Sequence, residues 1–394
     1  MSAEITQALK ACIAPPERAL SLPPVCYVDA GWARHEAALF RRGWIGVGRA
    51  DQVAEPGAYR TLDFAGQSLI LLRDREGVLR AFANSCRHRA ARLLDGAGEC
   101  RGIRCPFHSW AYRLDGRLVA APHMEDAPGF DRADYGLVAY RAEERLGFVF
   151  LCLDDSAPPL DTVLGDFAAI HAPWPLVSLV TTRRRELHVD CNWKAFLEVF
   201  NEYYHLPFVH KDSIDDVYAL PDPATPVTGT YASQFGGTEG TGGLLQDQQQ
   251  HALPPMPGLT GREAAGVRYT WVFPNMTFAA GTDALWVYEA YPLGPDQCQV
   301  VQTACFPPET LALPGAEARI AAYHERLDAA LDEDIPALVN QQRGLSHPDA
   351  RQGRFQPLLE PNVAAFARWY AETMTNTRRP PAMRSETLLE KVTP

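Results

Sequence analysis

Cys86-Arg87-His88, sixteen residues, then Cys105-Pro106-Phe107-His108: this pair of short loops decides how the first part of the chain is read. One cysteine and one histidine from each loop make a donor set of two thiols and two imidazoles. The set suits a two-iron, two-sulfide cluster in which two thiolates hold one iron and two neutral imidazoles hold the other. Imidazole in place of thiolate raises the reduction potential. Structural zinc loops also draw on cysteine and histidine, but usually as C-x-x-C with H-x-x-x-H or a second C-x-x-C. A single residue between the first Cys and His fits zinc poorly. Residues 68–72 and 79–82 flank Asp74-Arg75-Glu76-Gly77, and residues 111–114 and 118–120 flank Asp115-Gly116. Both patterns read as short hairpins, so the loops should project from a small antiparallel sheet.

At 394 residues the chain is long enough for about two domains, each with its own core. Apolar content of 46% and charged content of 22% are ordinary for a globular protein. A net charge of -11 argues against nucleic acid or an anionic membrane as partner. Residues 1–10 are polar and lack the apolar centre of a signal peptide, and no apolar run of about twenty residues could span a bilayer. The nine cysteines are dispersed and odd in number, the usage of a reducing compartment, so a cytoplasmic protein is expected. Apart from Cys86 and Cys105 they read as small buried hydrophobes, with Cys100 close to the second loop but outside the ligand spacing.

Residues 1–24 read as an arm with one weak helix ended by Pro15-Pro16, and residues 29–42 as a helix capped by Asp29. From 43 to about 153 the pattern is short β runs, including 44–47 and 148–153. Asp154-Asp155-Ser156-Ala157-Pro158-Pro159 marks a boundary. The expected division is 1–42 arm and helix, 43–155 all-β cluster domain, and 156–394 second domain. In the latter, 176–189 reads as strand and 192–204 as helix. Residues 229–258, rich in Gly and Gln without periodicity, read as a mobile loop over a pocket. Residues 268–273, 276–279, 285–291 and 299–306 read as consecutive antiparallel strands. Residues 316–342 form a long helix interrupted at Pro336, and 362–374 another. Strands followed by packed helices make this an α+β chain.

The stretch Glu202-Tyr203-Tyr204-His205-Leu206-Pro207-Phe208-Val209-His210 carries two histidines five apart, with a carboxylate three before the first. Five residues of continuous helix would turn the imidazoles apart by about 140°. Pro207 disfavours helical dihedrals at Leu206, so the helix should bend or end after His205 and let His210 swing back. Two histidines and one carboxylate on one face is a common ligand set for non-haem Fe(II) in oxygen-activating enzymes.

Together the two motifs resemble the α (terminal oxygenase) subunits of the Rieske non-haem iron oxygenases. The likeness runs from the first motif through Asn192-Trp193-Lys194 and 198–210 to a late acidic helix. It implies an N-terminal all-β Rieske [2Fe–2S] domain bound through Cys86, His88, Cys105 and His108. A helix-grip-like catalytic domain of antiparallel sheet and helices would follow. The family's acidic-x-x-His-x-x-x-x-His motif lands on Glu202, His205 and His210. It makes the two histidines iron ligands and Glu202 the catalytic carboxylate bridging to a cluster histidine of a neighbouring subunit. Leu331-Asp332-Glu333-Asp334-Ile335 is similar to the family's Glu-Asp-Ile signature and selects Asp334 as third ligand, with Asp332 as fallback. Asp332 and Glu333 themselves read as a solvated helix face.

The resemblance further implies a homotrimer, O2 and a small organic substrate as reactants, and a separate flavin/iron–sulfur reductase carrying electrons from NADH or NADPH. Glu202, where the family more often has Asp, is similar to the branch that oxidises choline, carnitine and glycine betaine. Hydroxylation or N-demethylation of a quaternary ammonium compound is therefore expected, with ring hydroxylation or dihydroxylation of an aromatic as the alternative. Phe200, Tyr203, Phe208, Trp271, Phe273, Trp286 and Tyr288 are candidates for the pocket wall, since aromatic faces attract quaternary ammonium. A non-catalytic electron carrier and a zinc hydrolase are the readings of other classes.

Overall fold

In the computed structural model, which describes residues 2–15 and 17–375, the early β runs join one antiparallel seven-stranded sheet. Its order is Trp44–Arg49, Phe148–Cys152, Ala139–Arg145, Leu79–Ala83, Gln67–Arg73, Ala58–Phe64 and Ala97–Glu99. A three-stranded sheet of Ile103–Arg104, Ala111–Tyr112 and Leu118–Ala120 carries the second cysteine loop. The second seven-stranded sheet is also antiparallel. It runs Val180–Val189, Cys298–Phe306, Leu285–Pro292, Met276–Ala280, Gly266–Val272, Tyr231–Thr238 and Tyr218–Pro221. Helices Trp193–Phe200, Ala316–Leu345 and Pro361–Thr375 pack against it, so the chain is α+β as expected. No helix among the described residues is long and apolar enough to cross a membrane.

Several local expectations need correction. Within 229–258, Tyr231–Thr238 is a strand paired along its length with Gly266–Val272. Its polar residues hid it: Ser233 and Gln234 are buried, and Gln234 Nε2 donates to the carbonyls of Asp222 and Leu358 at 2.8 and 2.7 Å. The 29–42 helix is two, Ala30–Glu36 and Leu39–Arg42. Asp29 caps the first by accepting from Trp32 N at 2.6 Å. Tighter i→i+3 bonds at Ala38 and Arg41 separate them and turn Phe40 into the core against Trp193. The long helix is continuous through Pro336, because Pro336 and Asp332 both lie on the exposed face. The arm helix is Ala3–Cys12; Pro16 and residues 376–394 lie outside the described residues.

The two large sheets are joined rather than merely adjacent. Asn275 Oδ1 accepts from Gly46 N at 3.2 Å while its Nδ2 donates to Gly46 O at 2.9 Å, and Tyr291 OH donates to the same carbonyl at 3.2 Å. A Cβ on Gly46 would stand 2.6 Å from Met276 side-chain atoms, so only glycine permits this approach.

Lys194 anchors the helix that leads into the histidine stretch. Asn192 caps that helix, its Oδ1 accepting from Lys194 N at 3.0 Å. The Lys194 ammonium, with 0% side-chain exposure, lies 2.6 Å from Glu36 Oε1, whose side chain is 2% exposed. The other Glu36 oxygen accepts from Trp193 Nε1 at 2.9 Å, and Tyr370 OH donates to Oε1. One carboxylate thus ties an N-terminal helix, the start of Trp193–Phe200 and the C-terminal helix. Removing it strands a buried cation. Glu36→Ala should destabilise the protein by about 3–5 kcal/mol, read from the shift of its denaturant midpoint; a change under about 1 kcal/mol would show the pair to be solvated.

Candidate metal centres

Both cysteine loops close in the same way. Cys86 N donates to Ala91 O at 2.8 Å and Ala90 N to Cys86 O at 2.9 Å; Cys105 N donates to Trp110 O at 2.8 Å and Ser109 N to Cys105 O at 3.1 Å. The fifth residue of each loop is left-handed, Ala90 at φ 60° and Ser109 at φ 59°, a conformation costing roughly 1–2 kcal/mol in a non-glycine residue. The closures turn both sulfurs inward and leave both histidines outside: Cys86 and Cys105 are buried, His88 and His108 exposed. The imidazole centroids are 4.7 Å apart, and His88 stacks on buried Trp110 at 4.9 Å. The Tyr112 hydroxyl lies 3.3 Å from Cys86 Sγ while accepting from Arg87 N at 3.0 Å. A phenol placed there suits a thiolate. Two shielded sulfurs and two paired outer imidazoles fit a [2Fe–2S] cluster.

The second centre is built from a turn and a helix. Trp193–Phe200 ends before the histidines, with Asn201 Nδ2 donating back to Leu197 O at 2.7 Å. The expected bend therefore precedes His205 instead of following it. Pro207 sits in the first turn of a new short helix, Leu206–Val209, where its missing N–H is no loss. His205 and His210 flank that single turn, their ring centroids 5.0 Å apart.

Two carboxylates set the rings. Glu202 Oε1 lies 2.5 Å from His205 Nδ1, and Glu333 Oε2 lies 2.6 Å from His210 Nδ1. With the Nδ1 protons so held, both Nε2 lone pairs point elsewhere. They point at Asp334: its Oδ1 is 3.6 Å from His205 Nε2 and 3.0 Å from His210 Nε2. One ligand atom from each of the three residues falls within 4.8 Å of the others, and Asp334 Oδ1 is buried without a hydrogen bond. Burial opposes the charged form of the His205 ring, yet the Glu202 and Asp334 carboxylates outweigh it and raise the pKa. The spot favours positive charge. The donors fit a mononuclear Fe(II) with open positions.

Asp334 reaches the site from a regular helix, with no bulge at Pro336. Asp332 is exposed and takes no part. Glu333 is not the solvated residue expected, since its Oε2 also accepts from Ser213 Oγ at 2.7 Å. The acidic run thus supplies a candidate ligand and, one residue earlier, a carboxylate that orients the His210 ring.

A narrow cleft of about 570 Å³, its open mouth included, leads from the three donors and is lined by Phe200, Tyr203, Tyr269, Tyr288 and Arg326. Of the candidate wall residues, Phe200, Tyr203 and Tyr288 are there and four are not. Phe208 is 72% exposed. Trp271 stacks on Phe366 at 4.0 Å, and Phe273 on Trp369 at 5.2 Å, both in the packing against the C-terminal helix. Trp286 is buried behind Arg326. Sequence reasoning passed over Tyr269, which shares a strand face with Trp271. The cleft lies two residues, roughly 7 Å, nearer the start of that strand. It also passed over Arg326, although Arg326, Ala330 and Asp334 repeat at helical spacing.

The comparisons with known proteins agree with this architecture. Residues 176–376 match the catalytic domain of the ring-hydroxylating alpha subunit, and residues 43–131 match the Rieske [2Fe–2S] domain. The chain belongs to the ring-hydroxylating alpha-subunit family of Rieske oxygenases. It is 33% identical over 206 residues to the carnitine monooxygenase oxygenase subunit of Acinetobacter pittii, covering 51% of this chain and 56% of that protein. The match thus spans about half the length of this relative. It is 29% identical over 378 residues to the chloroplastic choline monooxygenase of Beta vulgaris, covering 91% and 78% of the two chains. The crystal structure of the quaternary ammonium Rieske monooxygenase CntA with an inhibitor shares the fold, with TM-score 0.79 and 24% identity over 92% of this chain and 98% of that one.

Asp334→Ala should abolish mononuclear iron binding while the cluster's visible absorption persists. Glu333→Gln should weaken iron binding by about 10–100-fold, and Asp332→Ala should leave it unchanged. Metal analysis after dialysis against a weak chelator separates the three. Full iron retention in the Asp334 variant would remove that residue from the ligand set.

Proposed function

We propose that the chain is the terminal oxygenase component of a multi-component system. Electrons from NADH or NADPH reach it through a separate flavin/iron–sulfur reductase, and with O2 it hydroxylates or N-demethylates a small quaternary ammonium compound. The observation that carries this reading is the aromatic cleft opening onto the three-donor face. Phe200 meets Tyr288 at 4.7 Å and Tyr269 at 5.4 Å, and Tyr203 meets Tyr269 at 5.7 Å. Ring faces attract an N-methylated cation. Such a cation has no N–H groups to satisfy, so an apolar box can desolvate it cheaply. The carnitine and choline monooxygenases among the relatives support the same substrate class.

When bound, the cluster supplies single electrons and the mononuclear iron activates O2. The chain's own side chains do the positioning. Glu202 and Glu333 keep both Nε2 atoms facing Asp334, while the aromatic walls hold the guest beside them and limit water. An electron carrier has no use for such a trio beside a cleft.

Assembly as a homotrimer is part of the proposal. Large apolar side chains are exposed next to each centre: Phe107 beside His108 at 58%, and Tyr204 and Phe208 on the Glu202–His210 turn at 51% and 72%. A head-to-tail ring would cover all three by docking the cluster loops of one copy onto the next copy's turn. Glu202 stands at that turn with a 12% exposed side chain and would span the junction.

Oxygen uptake with a generic reductase, screened over choline, betaines, carnitine and simple aromatic acids, should respond to a trimethylammonium compound. Coupled uptake with aromatics alone would establish ring hydroxylation instead. Glu202→Gln should lower iron affinity by about 10–100-fold through His205 and stay inactive when excess Fe(II) restores occupancy. Recovery of full coupled turnover on iron addition would leave Glu202 as an imidazole-orienting group with no part between chains.

A further inference from the structure

Four arginines are buried among the described residues: Arg49, Arg60, Arg268 and Arg326. Three are held by two or more hydrogen bonds within the fold. Arg49 donates to the carbonyls of Leu146, Leu176 and Leu179. Arg60 donates to Val47 O and Gln52 and feels the buried Glu289 carboxylate, and Arg268 donates to the hydroxyls of Thr225 and Ser233. Arg326 is the exception. It is 4% exposed, makes one hydrogen bond, from Nη2 to Tyr218 OH at 3.2 Å, and its electrostatic neighbours are Tyr218, Tyr269 and Tyr288 rather than a carboxylate. Its Nε is buried and unpartnered, as in the other three, and its guanidinium lies over the Trp286 ring at 5.2 Å. A guanidinium carries five donors and stays charged. Leaving most of them idle in a desolvated site is costly unless a ligand completes them.

Arg326 lines the cleft that holds Asp334, two helical turns away and so about 12 Å along the axis. A second orphan lies in the same wall: the Tyr203 hydroxyl is buried without a partner. The cleft therefore has the three metal donors at one end, an aromatic middle, and an electropositive end at Arg326. A guest with a cation alone would face an unanswered positive charge at the far end.

We infer that the substrate carries a carboxylate and that Arg326 binds it, so that the guest is a zwitterion with its ammonium end toward the metal donors. This rests on the quaternary ammonium reading for one end of the guest only; the carboxylate end stands on Arg326 itself. Guanidinium–carboxylate pairing is the strong, directional choice for such an anchor. It ranks the candidate substrates, placing trimethylammonium acids ahead of choline-like alcohols.

The test is calorimetric titration of anaerobic, fully iron-loaded protein with carnitine, carnitine carboxamide, choline and butyrate. Carnitine should bind about 10–100-fold more tightly than its carboxamide, the range of a charged hydrogen-bonded pair. Arg326→Gln should erase that preference, with carnitine and its carboxamide then binding within about twofold of each other. Arg326→Lys should keep part of it. Equal binding of acid and amide by the unaltered protein overturns the inference without recourse to any variant. If no trimethylammonium compound binds but butyrate does so in an Arg326-dependent way, the anchor stands and the quaternary ammonium reading falls.

Discussion

Two imidazole–carboxylate hydrogen bonds govern the mononuclear site. A neutral histidine can present either nitrogen, and an unrestrained pair five residues apart would present all combinations. Glu202 and Glu333 remove that freedom by occupying both Nδ1 positions, which leaves both Nε2 atoms facing Asp334. The two carboxylates come from opposite sides, one from the turn that carries the histidines and one from the long helix. Each element therefore supplies both a candidate ligand and a carboxylate that orients an imidazole. The juxtaposition of turn and helix is consequently what the fold has to guarantee.

That guarantee is made at a distance. Lys194 and Glu36, buried and paired, fix the start of Trp193–Phe200 against helices from both ends of the chain. The buried face of Ala316–Leu345, with Ile320, Tyr323, Leu327 and Leu331 at helical spacing, seats the helix that carries Arg326 and Asp334. A buried ion pair is a poor source of net stability, but it is intolerant of any other arrangement. Here it specifies position.

Both Cys/His and His/carboxylate clusters are legible in the sequence because ligand chemistry constrains residue type and spacing together, and the fold brings the members of each together. The α+β class followed from the order of strands and helices. What escaped was set by long-range packing. Tyr231–Thr238 does not alternate in hydropathy, because its buried polar side chains find partners outside the strand, Gln234 Nε2 at the Asp222 and Leu358 carbonyls and Ser233 Oγ at Thr270. Glu333 looked like one charge in an acidic run, and only the arrival of His210 and Ser213 gives it a task. Trp271 and Phe273 have the right chemistry for a pocket wall, but Phe366 and Trp369 claim their faces. Pro207 was recognised as important for a reason that proved inverted: it opens a helical turn where a break was expected.

The Asn275 clamp on Gly46 bears on how charge can travel through the molecule. A side-chain amide that reproduces a strand's hydrogen bonds, backed by a methionine at the glycine's surface, leaves the two sheets without a hinge. Neither half can swing toward the other about that junction. In the proposed oxygenase the span an electron must cross would then be a fixed property of the architecture, and only the packing of neighbouring copies could shorten it. Dilution, rather than solvent viscosity, would be the physical agent that throttles the current.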